Sequence, residues 1–288
     1  MCKCKGKNYN LLTFYKRYWL FCRDCGTAES IEKKNYKLSF LPFKDYKKNT
    51  DINDSNIYDY FTDKAHIEDS ILEGEEFYNQ YIYPYGIDIS SKRILDISGG
   101  NGHAIMALAK RGAKVEITEF NKRAVDYSTN FHKINAYLYD LNKDELSKIV
   151  KGKYDVITLR ACIMFAKDLS SLSHTLFNIL NPGGYLIINK SVKPTLGVFT
   201  RTQLDQHSYF FLRQPETIEK EFAKVGFKTI KIINEVDPTM YVYDNDLTLR
   251  WYFLHYFYEL RNSFILRKND AFEIRSRDRR RSTLILQK

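Results

Sequence analysis

Two groups of residues have types and spacings suited to chemistry. The first is Ile94-Leu95-Asp96-Ile97-Ser98-Gly99-Gly100-Asn101-Gly102-His103, where an apolar run breaks into small residues. Glycines after a strand let a ligand approach the backbone closely, and the helix start that follows offers unpaired N–H groups to it. A pyrophosphate-binding dinucleotide loop requires glycine or alanine three residues beyond its second glycine. Counted from Gly102 that position is Ile105, which argues against a dinucleotide. The second group is Cys2-x-Cys4 followed by Cys22-Arg23-Asp24-Cys25-Gly26, close to the paired turns that hold a tetrahedral zinc ion, although one residue rather than two separates the first pair. Glycine after Cys25 permits the tight turn that aims two thiolates at one ion. The expectation is a structural zinc on Cys2, Cys4, Cys22 and Cys25, with a disulfide the weaker alternative in a reducing compartment. Cys162 stands in an apolar segment and reads as a buried small hydrophobe.

The elements that position these residues follow from hydrophobic periodicity. His66 to Tyr83 places Ile67, Ile71, Phe77, Tyr78, Tyr81 and Ile82 at helical spacing, and Pro84 and Gly86 end it. From Arg93 onward short apolar runs alternate with amphipathic segments, the pattern of a parallel sheet covered by helices on both faces. Strands are expected at 93–97, 114–118, 136–139, 154–159, 185–189, 227–233 and 281–287. Helices are expected at 103–111, 122–132, 143–150, 169–180 and 215–225. The fold class is therefore α/β, a Rossmann-like doubly wound seven-stranded sheet preceded by a small cysteine module. A polar connector, Lys47 to Asn56, places the boundary so that residues 1–50 form the module and 51–288 the main domain. Residues 237–280 form an insertion between the last two strands, whose segment Leu247 to Leu260 is rich in aromatics suited to a lid, an acceptor pocket or packing.

Composition bounds the remaining classes. The chain has 288 residues, 44% hydrophobic and 28% charged, so a disordered or fibrous protein is excluded. Its longest apolar runs fall short of the roughly 18 to 20 residues of a spanning helix, and no apolar stretch follows the basic N-terminus, so a cytoplasmic protein is expected. The net charge of +10 is uneven. Residues 1–50 carry 12 Lys+Arg against 4 Asp+Glu, residues 51–92 carry 2 against 10, and residues 261–288 carry 9 against 3. Basic ends attract polyanions, although such runs are commonly just solvated faces.

The glycine stretch, with the acids that follow it, resembles the class I S-adenosylmethionine-dependent methyltransferases from about residue 66 to 233 and again in the last strand. Asp96, Gly100 and Gly102 fit the family's glycine motif, with Ser98 replacing its first glycine and Gly99 between. The resemblance implies that Glu119, ending the second strand, accepts the ribose hydroxyls beside Phe120. It further implies that Asp140 accepts from the adenine amino group while Leu141 packs on the ring. Arg160, after the fourth strand, would line the methyl-transfer site. Asn181-Pro182-Gly183-Gly184 matches the family's turn before the fifth strand.

The implied reaction is substitution at a sulfonium methyl, for which the protein chiefly holds donor and acceptor in line. A hydroxyl acceptor also benefits from a general base, and histidine suits neutral pH. His207, after the fifth strand, is the preferred base, and His103 the second candidate. His132, His174 and His255 lie in helical segments and read as surface or core residues. The cysteine module ahead of this domain resembles the zinc ribbon of bacterial sugar methyltransferases, which implies a glycan precursor or another small molecule, with O-methylation favoured. RNA is the rival acceptor, suggested by the basic module and the cluster Arg275 to Arg281, but an Asn-Pro-Pro-Tyr-type stretch is missing where Arg160-Ala161-Cys162-Ile163 stands. A non-catalytic cofactor-binding module is a third reading. The oligomeric state is not readable from the sequence.

Overall fold

The computed structural model describes residues 9–14, 17–22, 27–31, 61–192, 211–235 and 281–288. The chain divides into two compact units, one of Met1–Thr50, Lys190–Ile218 and Ile233–Ser282, the other of Asp51–Asn189, Glu219–Ile232 and Thr283–Lys288.

The first unit holds a four-stranded antiparallel sheet in the order β1-β2-β3-β9, built from β1 (Tyr9–Phe14), β2 (Arg17–Cys22) and β3 (Ala28–Ile31) and completed by β9 (Phe211–Leu212). Cys22 and Thr27 are buried where β2 turns into β3, and the Cys22 N–H donates to the Thr27 carbonyl at 2.9 Å.

The second unit opens with α1 (Lys64–Phe77), whose N-cap Asp63 accepts from the His66 N–H. In place of one α-helix to Tyr83, the chain widens into a π turn at Tyr78–Ile82 and tightens into a 3-10 turn at Tyr83–Tyr85. Gly86 then stops it at a φ of +63°, a left-handed conformation that glycine adopts without penalty. The strands and helices that follow are β4 (Arg93–Ile97), α2 (Met106–Ala109), β5 (Lys114–Glu119), α3 (Lys122–Tyr127), β6 (Asn135–Leu138), α4 (Leu146–Ile149), β7 (Tyr154–Arg160) and α5 (Leu169–Ile179). After them come β8 (Leu180–Val192), α6 (Pro215–Ala223), β10 (Lys228–Glu235) and β11 (Arg281–Gln287).

Seven strands pair in the order β10-β11-β8-β7-β4-β5-β6. The pairs β4/β5, β4/β7, β5/β6 and β7/β8 are parallel. Gly183 and Gly184 bond with Lys288 while Asn189 bonds with Thr283, so β11 runs opposite to β8 and the sheet is mixed. This is the Rossmann-like sheet expected of a class I methyltransferase. Ile94, Leu95, Ile97, Ile157, Leu159, Ile187 and Ile188 are each 0% exposed, as central strands covered on both faces must be.

A polar cluster ties the amino-end half of the sheet together. Glu116 on β5 accepts from Arg93 at 2.6 Å and from the hydroxyls of Tyr137 and Tyr154, each at 2.9 Å. The Arg93 guanidinium also lies 4.5 Å from the centre of the Tyr154 ring. Such groups are stable inside only when mutually satisfied.

Candidate functional site

The carboxyl ends of β7, β4, β5 and β6 stand side by side, and the glycine turn, Glu119, Asp140 and Arg160 follow or end these strands. After β4 the chain turns through Ser98, Gly99, Gly100, Asn101 and Gly102. The φ angles are +58° at Ser98, +61° at Gly100 and +80° at Gly102, so serine holds a backbone conformation that usually falls to glycine. The turn is tied to β5, because the Gly99 N–H donates to the Thr118 carbonyl at 2.9 Å. A Cβ added at Gly100 would meet nothing within 4 Å, whereas one at Gly99 would lie 3.0 Å from the Asp96 carboxylate. Gly100 therefore faces open space, as a backbone cradle for a ligand does. The expected helix at 103–111 shrinks to Met106–Ala109, because Gly102 is left-handed and the Asn101 side chain accepts from the His103 N–H at 3.2 Å.

Glu119 ends β5 and is 6% exposed. One carboxylate oxygen accepts from the Gly100 N–H at 3.1 Å and the other from the Asn121 N–H at 3.0 Å. Burial pushes its pKa up, opposed by these N–H groups. The Phe120 N–H acts on the same carboxylate, and of its roughly four lone-pair sites about one remains for a ligand hydroxyl. Phe120, the next residue, is 47% exposed. Asp140, after β6, accepts from the Asn142 N–H at 2.9 Å and pairs with Lys143 at 2.8 Å. Burial raises its pKa, but Lys143 and the Asn142 N–H outweigh it and hold the carboxyl below its ordinary value. Leu141 is half-buried beside it.

Asp96 is 0% exposed and forms the floor of the site. Its carboxylate accepts from the Thr158 hydroxyl at 2.6 Å and from the Arg160 guanidinium at 2.6 Å through Nη2 and 3.2 Å through Nε. Burial opposes the Arg160 charge, and the Asp96 carboxylate more than restores it. Thr158 and Arg160 are two residues apart on β7, and that alternation puts both on one face of the strand, the one signal in the sequence for this contact. Ala161 follows at a φ of +51°, and the Cys162 thiol is buried and donates to the Ile97 carbonyl at 3.5 Å. Burial pushes this thiol well up, so it is an inert hydrophobe as expected.

His103 is the clearest departure. It is 0% exposed, with Nε2 at 2.8 Å from the Phe61 carbonyl and Nδ1 at 2.9 Å from Nε2 of His132. Both ring nitrogens are occupied, so His103 has none left to take a proton from an acceptor and packs under the turn instead. His66 and His132, which periodicity marks only as helical residues, join it. The preferred base His207 lies outside the described residues, as do Cys2, Cys4 and Cys25 of the cysteine set and most of Arg275 to Arg281. Among the described residues, no group of three or more His, Cys, Asp or Glu is placed to hold a metal. No helix among them is long and apolar enough to cross a membrane.

Similarity to known proteins agrees with this architecture. A ubiquinone biosynthesis O-methyltransferase of Psychrobacter arcticus is 24% identical over 180 residues, 57% of this chain and 67% of that protein. An S-adenosylmethionine-dependent methyltransferase from Archaeoglobus fulgidus superposes with a TM-score of 0.50 at 16% identity, covering 74% of this chain and 92% of that one. A chain from the complex of the Haloferax volcanii Trm112 methyltransferase activator with a methyltransferase gives 0.52 at 14% identity, covering 79% and 95%. Residues 76–232, more than half of the chain, match the family model described as a methyltransferase domain, so the chain belongs to that family and is an S-adenosylmethionine-dependent methyltransferase.

Proposed function

We propose that the chain transfers a methyl group from S-adenosylmethionine to a hydroxyl oxygen of a small molecule, with a glycan precursor the first class to test. The observation that supports this most is the pairing of an open backbone at Gly100 with the buried Glu119 carboxylate, which already receives that residue's N–H at 3.1 Å. Oxygen as the acceptor atom is supported by the Psychrobacter arcticus relative, itself an O-methyltransferase.

The cofactor, when bound, supplies an electrophilic methyl on a sulfonium. The protein's own part is positioning. Ser98, Gly99, Gly100 and Gly102 offer backbone at close range, and Glu119 would take the ribose hydroxyls. Phe120 and Leu141 would flank the adenine, and Asp140 would accept from its amino group. The Asp96–Arg160 pair fixes the floor on which the turn rests. His207 is proposed as the base that takes the hydroxyl proton, on its sequence position alone. Zinc on Cys2, Cys4, Cys22 and Cys25 likewise rests on sequence spacing, and metal analysis of chelator-free protein decides it: about one zinc per chain, lost in Cys22→Ser, is the expected result.

The function is tested by incubating the protein and labelled cofactor with cell-extract metabolites and with total RNA. Label in the small-molecule fraction is the expected result. Label in RNA would move the assignment to the rival acceptor, and turnover with neither would refute both.

A further inference from the structure

Three histidines meet beneath the glycine turn, and the proposed reaction assigns none of them a chemical step. Nδ2 of Asn101, within the turn, lies 2.9 Å from Nε2 of His66 on α1. An amide N–H can only donate, so His66 Nε2 accepts. Nε2 of His103 lies 2.8 Å from the Phe61 carbonyl, which can only accept, so Nε2 carries the hydrogen of His103. A neutral His103 then accepts at Nδ1, and His132 Nε2 must donate to it across 2.9 Å. Each ring is fixed in one neutral tautomer. A proton added at Nδ1 of His103 sets its N–H against the N–H of His132.

The cluster reaches the turn by contact. A Cβ on Gly102 would lie 3.0 Å from the Ser128 hydroxyl, 3.3 Å from His132 Cδ2 and 3.4 Å from Ile134, so the turn sits on the His132 ring with no slack. His103 is fully buried, edge-on to Tyr127 at 5.4 Å and to Phe131 at 6.2 Å between ring centres.

We infer that His103, held by the Phe61 carbonyl and by His132 as its donor, is a positioning residue that keeps the glycine turn in its ligand-binding form only while neutral, so that acidification releases the turn and weakens cofactor binding. The inference rests on the cofactor reading above and deepens it. The titratable groups facing buried His103 and half-buried His132 are His66 from α1 and Tyr127 from α3. From β5, Glu119 faces the same turn through the Gly100 N–H. Burial, with the neighbouring ring, pushes the His132 pKa down to about 4, and burial lowers that of His103 despite the Phe61 carbonyl. An opened turn frees these rings to bind protons near the ordinary value of about 6.5. Below that pH each linked proton weakens cofactor affinity by up to about tenfold per pH unit, toward the lower limit near 4.

The test is calorimetric affinity for S-adenosylmethionine from pH 7 to pH 5, over the range where circular dichroism shows the full chain folded. The parent should lose about tenfold or more. In His132→Gln the amide N–H still donates to a neutral His103 and the amide oxygen can accept from a protonated one, so a proton on His103 no longer sets N–H against N–H and the acid loss at pH 5 should shrink by about tenfold. An acid loss as steep in that variant as in the parent overturns the inference, as does a flat parental profile. Amide hydrogen exchange at Gly100 and Gly102 in cofactor-free parent, corrected for intrinsic rates, is the independent arm. Protection should fall between pH 7 and pH 5, and unchanged protection would overturn the inference even if His132→Gln failed to fold. A parent that binds no cofactor at any pH while its turn protection still falls would sink the cofactor reading and leave the proton-sensitive turn standing.

Discussion

Replacing Arg160 with methionine, which keeps most of the volume and removes the charge, should destabilise the protein by about 3 to 5 kcal/mol. Asp96 is 0% exposed, and the Arg160 contacts at 2.6 and 3.2 Å are its compensating charge. Two unit charges about 4 Å apart attract by about 4 kcal/mol at an effective dielectric near 20, and removal of one leaves the other buried with that attraction lost. The Thr158 hydroxyl remains, but one hydrogen bond to a charged group contributes only about 1.5 to 3 kcal/mol. Typical domains have about 5 to 15 kcal/mol of stability in all, so the loss is readily measured. Urea unfolding of the cofactor-free protein is the assay, run on Arg160→Met, Asp96→Asn and the double variant. With both charges gone no unpaired ion is left, so the double variant should be less destabilised than the sum of the singles by about 2 kcal/mol. Additive effects, or an Arg160→Met loss below about 1 kcal/mol, would refute the claim that this pair supports the site floor.

Ser98→Gly should raise stability by about 1 kcal/mol, because glycine accepts a φ of +58° without the side-chain penalty, and a lower urea midpoint would show the serine to be favoured there. Glu119→Ala should weaken cofactor binding by about 1.5 to 3 kcal/mol, the worth of hydrogen bonds to a charged group, and parental affinity in calorimetry would remove its ribose role. The depressed pKa values of His103 and His132 set the acid behaviour of the fold: stability is full above the unfolded value near 6.5 and is lost as pH falls toward about 4, because the unfolded chain binds protons the native rings refuse. Melting temperatures between pH 7.5 and 5 check this, and a constant value would contradict it. If His207 is the base, His207→Ala should cut turnover by about 10²- to 10⁴-fold with cofactor affinity unchanged, and parental turnover would exclude it.

The inner strands of the sheet are legible because they are buried on both faces and so read as apolar runs: β4 and β11 fall where the pattern puts them, and β5 and β7 extend one residue further. Helix ends were less so. Nothing in the spacing of His66 to Tyr83 reports that the chain widens after Phe77, and left-handed Gly102 shortens α2 from within. The acids at strand ends were found because each sits at a fixed offset from its own strand. The histidine cluster was not, since Phe61 and His103 are 42 residues apart and His66 and Asn101 are 35 apart, and periodicity carries no information about such partners. Proximity of His103 to the turn in sequence does not show which way its ring faces, and the ring turns toward Phe61 and His132.

The most direct measurement of the central claim is calorimetric titration of the purified full chain with S-adenosylmethionine and, separately, with NAD, repeated on Gly100→Val. Stoichiometric binding of S-adenosylmethionine, no binding of NAD, and loss of the first when a branched side chain strains the left-handed backbone at Gly100 and fills the space beside it is the predicted result. Binding of NAD alone, or S-adenosylmethionine affinity that survives Gly100→Val unchanged, would contradict it.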